Sequence, residues 1–400
     1  MNIRQITNGI IYTGVNDRVT RRFESLWPLP YGVSYNSYLV LSEKIALIDT
    51  VELKEAYNLL DHLEQNLQGR EPDYLVVNHM EPDHSGSIPL LAERFTDMKI
   101  VGNKQTISMI GGFYHITDPD RFITVCDGDT LSLGDLTLRF ILTPMVHWPE
   151  TMMTFVPERS LLFTGDAFGT FGTLDGGVTD FETDNPVYIE EAYRYYSNIV
   201  GKYGKFVQKA IKKVMPLNPQ YICPTHGPVW HDHIPTIGKI YDMLSKYESE
   251  HGITIVYGSM YGNTENMAEA IASALAAKGE KRIRMFNASK DHLSYLISSA
   301  FRYDGLIVGA PTYSMTLFPP VEAFMKALIT RESRGKTLGF FSSFTWASAA
   351  GRKLEHYAAE MKTPVIASLE MKQSLSASSL EEVDIFADKF IKALHESRRK

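Results

Sequence analysis

Asp73-Tyr74-Leu75-Val76-Val77-Asn78-His79-Met80-Glu81-Pro82-Asp83-His84 is the stretch on which the reading of this chain turns. Its first five residues form a short apolar strand that runs into polar residues. The six that close it place two imidazoles and two carboxylates at a carboxyl strand end, where α/β layers locate their ligand sites. A buried carboxylate carries a large desolvation penalty, and a bound cation removes it. The hexapeptide therefore reads as a metal-binding element. Three further stations also follow strands or loops: His147 in Met145-Val146-His147-Trp148-Pro149, Asp166 in Thr164-Gly165-Asp166-Ala167, and His226 in Pro224-Thr225-His226-Gly227.

Outward from that stretch, Ser37–Leu41 and Lys44–Ile48 flank a short polar turn and predict a hairpin. Glu52–Gln68 carries apolar residues at helical spacing (Leu53, Ala56, Leu59, Leu60, Leu63, Leu67). Strand-like runs recur at Leu136–Leu142, Thr151–Val156, Leu161–Phe163 and Tyr221–Cys223. A polar stretch, Leu244–Gly252, is the linker candidate. Beyond it the rhythm becomes strand, loop and helix: Ile253–Tyr257, a helix from about Thr264 to Lys278, then Ile283–Asn287, Gly305–Val308 and Thr337–Phe341. Alternation of this length predicts a parallel sheet with crossover helices. The C-terminal Glu-Ser-Arg-Arg-Lys reads as a frayed, solvated helix end.

Composition limits the alternatives. Four hundred residues exceed what one hydrophobic core usually serves, so two domains are expected, 1–248 and 249–400. A formal net charge of −7 speaks against a nucleic-acid partner. Two cysteines, Cys126 and Cys223, are too few for a Cys-ligated cluster, a rubredoxin-like site or a disulfide framework. No signal segment and no membrane span is read, so a cytoplasmic enzyme is expected.

The four stations together, by order and spacing, resemble the metallo-β-lactamase superfamily. Its zinc hydrolases usually carry His-x-His-x-Asp-His, whereas Glu81 stands here at the second ligand position. A carboxylate in place of a neutral imidazole makes the pocket harder and more anionic, which favours iron in its oxidised states over zinc. The set His-x-Glu-x-Asp-His, His-Trp-Pro, Gly-Asp and His-Gly resembles the flavodiiron proteins. By that resemblance His79, Glu81, His147 and Asp166 hold one iron. Asp83, His84, Asp166 and His226 hold the other, with Asp166 bridging and His84 the ligand most able to swing away. Asp49 reads equally as an outer residue orienting a ligand histidine or as a helix N-cap before Glu52. Tyr195 or Tyr196, within Tyr193-Arg194-Tyr195-Tyr196, supplies a proton or hydrogen bond to substrate, or else is helix packing. Trp148, beside His147, is placed where flavin and iron meet.

In the second half, Tyr257-Gly258-Ser259-Met260-Tyr261-Gly262-Asn263-Thr264-Glu265 lies between a strand and a helix. Its glycines turn the backbone, its hydroxyls donate, and the helix offers its positive end to a phosphate dianion. The loop resembles the flavodoxin phosphate loop, with Ser259, Met260, Tyr261, Gly262, Asn263 and Thr264 as contacts of FMN. Two later loops, with Pro311, Thr312, Tyr313 and Ser314 in one and Ser343, Phe344, Thr345 and Trp346 in the other, are implied to embrace the ring. Tyr313 and Trp346 also admit a plain packing role. Glycine is common in flavodoxins where Ser342, Thr345 and Ser348 stand here, which leaves the ring position open.

The resemblances imply an N-terminal αββα metallo-β-lactamase-like sandwich followed by a flavodoxin-like doubly wound parallel sheet. They also imply two irons and FMN, and reduction of dioxygen to water or nitric oxide to nitrous oxide. The external electron donor would be a rubredoxin or a reductase, and the assembly a head-to-tail homodimer or a dimer of such dimers. The competing class is a di-zinc hydrolase carrying an electron-transfer flavodoxin module.

Overall fold

The computed structural model describes residues 4–398. The chain forms two compact units, one ending at Ser245 and the other beginning at Lys246. Among the described residues, the first unit holds a seven-stranded and a five-stranded sheet and two short two-stranded ribbons. Tyr38–Leu41 and Ile45–Ile48 form the expected hairpin, with Tyr38 opposite Ile48. From Ile45–Ile48 the pairing turns parallel through Tyr74–Val76, Lys99–Gly102 and Phe122–Thr124. The second sheet runs antiparallel from Thr130–Ser132 through Thr137–Leu142 and Met152–Val156 to Leu161–Gly165. It then adds Tyr221–Pro224 in parallel.

Ile45–Ile48 and Leu161–Gly165 are buried along their whole length, as strands covered on both faces must be. The two sheets meet through side chains. The rings of Tyr38 and Phe163 lie 5.1 Å apart, and the Tyr38 hydroxyl donates to the Pro224 carbonyl at 2.6 Å. Helix Ala56–Leu67 covers the layers with Ala56, Leu59, Leu63 and Leu67, one face at the period of the helix. It stops where Gln68 takes a left-handed conformation (φ 53°). This is the αββα sandwich that the motifs imply.

The second unit is doubly wound. Its five parallel strands lie in the order Ile283–Asn287, Glu250–Tyr257, Tyr303–Tyr313, Thr337–Phe344 and Val365–Lys372. That is the flavodoxin order. Ile253, Ile255, Ile307 and Phe341 pack with Met267 and Ile271 of helix Asn263–Ala277 and with Phe386 and Phe390 of helix Ala377–Ser397.

One boundary differs from the expectation. The polar stretch read as linker enters the sheet at Glu250, because Glu250 pairs with Tyr303 and receives the Arg302 guanidinium at 3.1 Å. Gly252 permits this entry, since a Cβ there would stand 2.5 Å from the Tyr303 ring. The terminal helix ends at Ser397 with exposed residues, within the stretch read as a solvated helix end, and Arg399 and Lys400 lie outside the described residues.

Candidate functional site

In the first unit the candidate ligands hang from loops at strand ends or from a short helix that follows one. Asn78-His79 follows Tyr74–Val76, Asp166 follows Leu161–Gly165, and Thr225-His226 follows Tyr221–Pro224. Asp83 and His84 lie on the short helix Pro82–Ser85, pinned where the Thr50 hydroxyl and amide both donate to the His84 carbonyl. Asn36 clamps the His226 loop by donating to the carbonyls of Pro224 and Gly227, both at 2.8 Å. His147 sits in a turn closed by Met145 N–H donating to the Trp148 carbonyl, with Thr151 tying its ends through Thr143 and Trp148.

These loops bring the seven candidates into two adjoining groups. In the first, His147 Nε2 lies 2.9 Å from Glu81 Oε2 and 3.1 Å from Asp166 Oδ2, and His79 Nε2 lies 3.4 Å from His147 Nε2. In the second, His226 Nε2 lies 3.1 Å from Asp83 Oδ2, and His84 Nε2 lies 3.1 Å from Asp166 Oδ1. Asp166 thus turns one oxygen to each group.

The tautomers are set from outside. Glu150 Oε1 accepts from His79 Nδ1 at 2.6 Å, and the Ser34 carbonyl accepts from His226 Nδ1 at 2.8 Å. Each contact leaves the ring's Nε2 directed into the cluster, the nitrogen that a metal would take. Thr225 Oγ1 donates to Asp166 Oδ1 at 2.5 Å.

The electrostatics describe a pocket built for a cation. Burial opposes the charged form of His79, but the carboxylates of Glu150, Glu81 and Asp166 outweigh it and raise the imidazole to about 9. His226, likewise opposed by burial, is raised to about 10 by Asp166 and Asp83. Burial pushes Asp166 up, yet the His84 charge and the hydrogen bond from His147 hold it well below the ordinary carboxylate range. The pocket thus favours positive charge, as a site for a metal cation does. Both Asp83 oxygens, His84 Nε2 and His226 Nε2 are buried and lack a hydrogen-bond partner among the described residues. Such atoms are expected to find a partner, and a metal is one that suits this donor set.

The neighbours sort the remaining candidates. Trp148 stands edge-on to His79 with ring centroids 5.3 Å apart. Tyr195 packs on His226 at 5.8 Å, and its buried hydroxyl has no hydrogen-bond partner among the described residues. Tyr196, one step round the helix, packs edge-on against Tyr241 instead. Between them Asn185–Tyr195 passes into a π-helical turn, Tyr196–Val200, a feature frequent at functional sites. Asp49 caps no helix. It accepts from Asn78 N–H at 2.7 Å and Nδ2 at 2.9 Å, holding the residue before His79. Sequence reasoning missed Glu150, Ser34 and Thr225, the residues that orient the candidate ligands. Only Thr225, next to His226, had a positional signal.

In the second unit the three loops enclose a cavity of about 590 Å³. Ser259, Met260, Tyr261, Asn263 and Thr264 line it from the first loop, Pro311, Thr312, Tyr313 and Ser314 from the second, and Ser343, Phe344, Thr345 and Trp346 from the third. Met315, Ala347 and Gln373, not singled out in the sequence, complete the lining. Gly262 supplies the turn, with φ 92°, instead of a wall. Ser259 Oγ accepts from Gly262 N–H at 3.1 Å, and the Thr264 and Ser343 hydroxyls lie 2.9 Å apart at the start of helix Asn263–Ala277. Hydroxyls, backbone N–H groups and a helix N-terminus at one end fit a phosphate, and aromatic loops at the other fit a planar ring. Tyr261 and Trp346 are 89% and 88% exposed, so within this unit neither is a core packing residue. Where glycine is common in flavodoxins, Ser342 and Ser348 both donate to Glu370, tying the third loop to the strand Val365–Lys372.

Comparison with known proteins agrees with both halves. Residues 33–227 match the ODP family β-lactamase model and residues 255–383 the flavodoxin model. An uncharacterized protein of Methanocaldococcus jannaschii is 33% identical over 88% of each chain. The anaerobic nitric oxide reductase flavorubredoxin of Escherichia coli is 32% identical over 87% of this chain and 74% of its own. The structure of rubredoxin oxygen:oxidoreductase from Desulfovibrio gigas superposes with a TM-score of 0.94 at 26% identity over 100% of both chains. A variant flavo di-iron protein from Thermotoga maritima gives 0.89 at 26% identity over 98% of both.

Proposed function

Because the chain belongs to the flavodiiron protein family, we propose that it is an oxidoreductase reducing dioxygen to water, nitric oxide to nitrous oxide, or both, at a non-haem di-iron centre. Electrons reach that centre through FMN from an external donor, a rubredoxin or a reductase. The observation that carries this reading is Asp166, whose Oδ2 faces His147 and His79 while its Oδ1 faces His84 and His226.

His79, Glu81 and His147 would hold one iron with Asp166 Oδ2, and Asp83, His84 and His226 the other with Oδ1. Bound, the two irons supply the redox capacity for the gas, and FMN stores an electron pair that it can release singly. The chain's own residues do the rest. Glu150 and the Ser34 carbonyl fix which imidazole nitrogen is presented. Burial holds the Tyr195 hydroxyl well above its ordinary range, so it stays a hydrogen-bond donor beside the site. Phe23, Tyr35 and Tyr195 crowd His226 and keep that side dry. Ser259, Thr264 and the helix N-terminus would hold the FMN phosphate, and Tyr313, Phe344 and Trp346 would cover its ring.

The family resemblance further implies a head-to-tail homodimer in which the FMN of one subunit serves the irons of its partner. No helix among the described residues is long and apolar enough to cross a membrane. A di-zinc hydrolase has no use for the phosphate loop, and Glu81 counts against zinc. The test is metal and flavin analysis of the isolated protein with an ester-hydrolysis assay on the same sample. Two irons and one FMN per chain, without hydrolysis, are expected. Zinc with ester hydrolysis would refute the proposal.

A further inference from the structure

His251, Glu280 and His395 meet in the second unit, outside the residues that line the large cavity. His251 Nε2 lies 2.9 Å from Glu280 Oε2, and His395 Nε2 lies 2.9 Å from Glu280 Oε1. One donor atom from each of the three falls within 4.8 Å of the others. They come from separate elements: the start of strand Glu250–Tyr257, the turn after helix Asn263–Ala277, and the last turn of helix Ala377–Ser397. We infer that this trio binds a divalent transition-metal ion of the zinc type, linking the C-terminal helix to the sheet.

The Glu280 side chain is only 4% exposed, and a carboxylate that deep needs a compensating cation. Two imidazoles and one carboxylate form a recurrent three-ligand set for zinc, with the fourth position left to water. Tetrahedral ligands at the usual zinc distances stand about 3.3 Å apart, so the two 2.9 Å contacts, made to different Glu280 oxygens, open slightly while the two imidazole nitrogens, within 4.8 Å of each other, close on the ion. A second observation points the same way. His251 Nδ1 is buried without a hydrogen-bond partner among the described residues, and Asp304 Oδ1 stands 3.7 Å from it. A small rotation of the ring on metal binding brings that N–H to the carboxylate, the arrangement that fixes ligand imidazoles elsewhere. The His395 side chain is 51% exposed, which gives an ion its way in and a place for the water. Paired protonated imidazoles would produce similar contacts, but they would bind no metal.

The test uses the full-length protein loaded with iron and FMN, titrated with zinc chloride and followed by calorimetry and metal analysis. Wild type is expected to take up one zinc per chain more than His395→Ala, with iron and FMN content unchanged in both. Zinc should also raise the thermal midpoint of wild type and not that of the variant. His395 is half exposed, so its truncation leaves the core intact, and His251→Gln is expected to lose the same equivalent. Equal zinc uptake by wild type and both variants, or uptake only by displacement of iron, would overturn the inference.

Discussion

His79 Nδ1 donates to Glu150 Oε1 across 2.6 Å, and both side chains are wholly buried. The same oxygen accepts from Met80 N–H at 2.9 Å, so one carboxylate orients both the imidazole and the backbone that carries the hexapeptide. Glu150→Gln can keep the volume but not the charge. It is expected to weaken metal binding about 10- to 100-fold, the usual cost of losing an outer partner of a ligand imidazole. Metal affinity measured by competition with a chelator checks this, and an unchanged affinity would remove Glu150 from the account.

Asp166 is the only residue in the cluster that turns an oxygen toward each histidine group. Asp166→Ala is therefore expected to lose both metals while FMN stays bound. Iron analysis and the flavin absorbance of the same preparation give the answer. Retention of full iron would end the bridging assignment.

Thr264 opens the helix at the phosphate end of the cavity, with its hydroxyl 2.9 Å from that of Ser343. Thr264→Val keeps the shape and removes the donor. A hydrogen bond to a charged group contributes about 1.5–3 kcal/mol, so FMN affinity should fall about tenfold or more while iron is unaffected. Flavin fluorescence titration reads the change, and equal affinity would discard the phosphate-loop assignment.

Asp17 predicts a pH effect on stability. Burial pushes its carboxyl up, but the Lys54 ammonium and the N–H groups of Val19 and Thr20 outweigh it and hold it at about 2. Since the unfolded value is 3.8, the contribution is present above that pH and is lost as pH falls through about 2. Denaturant unfolding of wild type and Asp17→Asn should therefore differ most near neutrality. The difference should shrink between about pH 4 and 2, and a constant difference would contradict the assignment.

What the sequence revealed was set by how local the signal is. The hexapeptide, the hairpin and the strand–loop–helix units are contiguous, so period and residue type exposed them. Glu150 reaches His79 across 71 residues, and Ser34 reaches His226 across 192. No motif marks such pairings before the sheets are assembled. Tyr195 and Tyr196 looked alike in the sequence, and only the helix rotation separates the one beside His226 from the one on Tyr241. Strand ends were read short at Val308 and Phe341 because the loops continue the ladder, Ala310 opposite Ser342 and Pro311 opposite Ser343. Those polar and proline residues carry no strand signal of their own.

A di-iron centre and an FMN on one chain are proposed to reduce a diatomic gas together. The most direct measurement is stopped-flow oxidation of the anaerobically reduced, iron- and FMN-loaded protein by dioxygen and by nitric oxide in separate runs, monitored at the flavin band. Rapid flavin reoxidation by at least one gas, yielding water or nitrous oxide, is expected, as is its loss in the Asp166→Ala protein. Equally fast reoxidation in that variant, or none by either gas in the wild type, would contradict it.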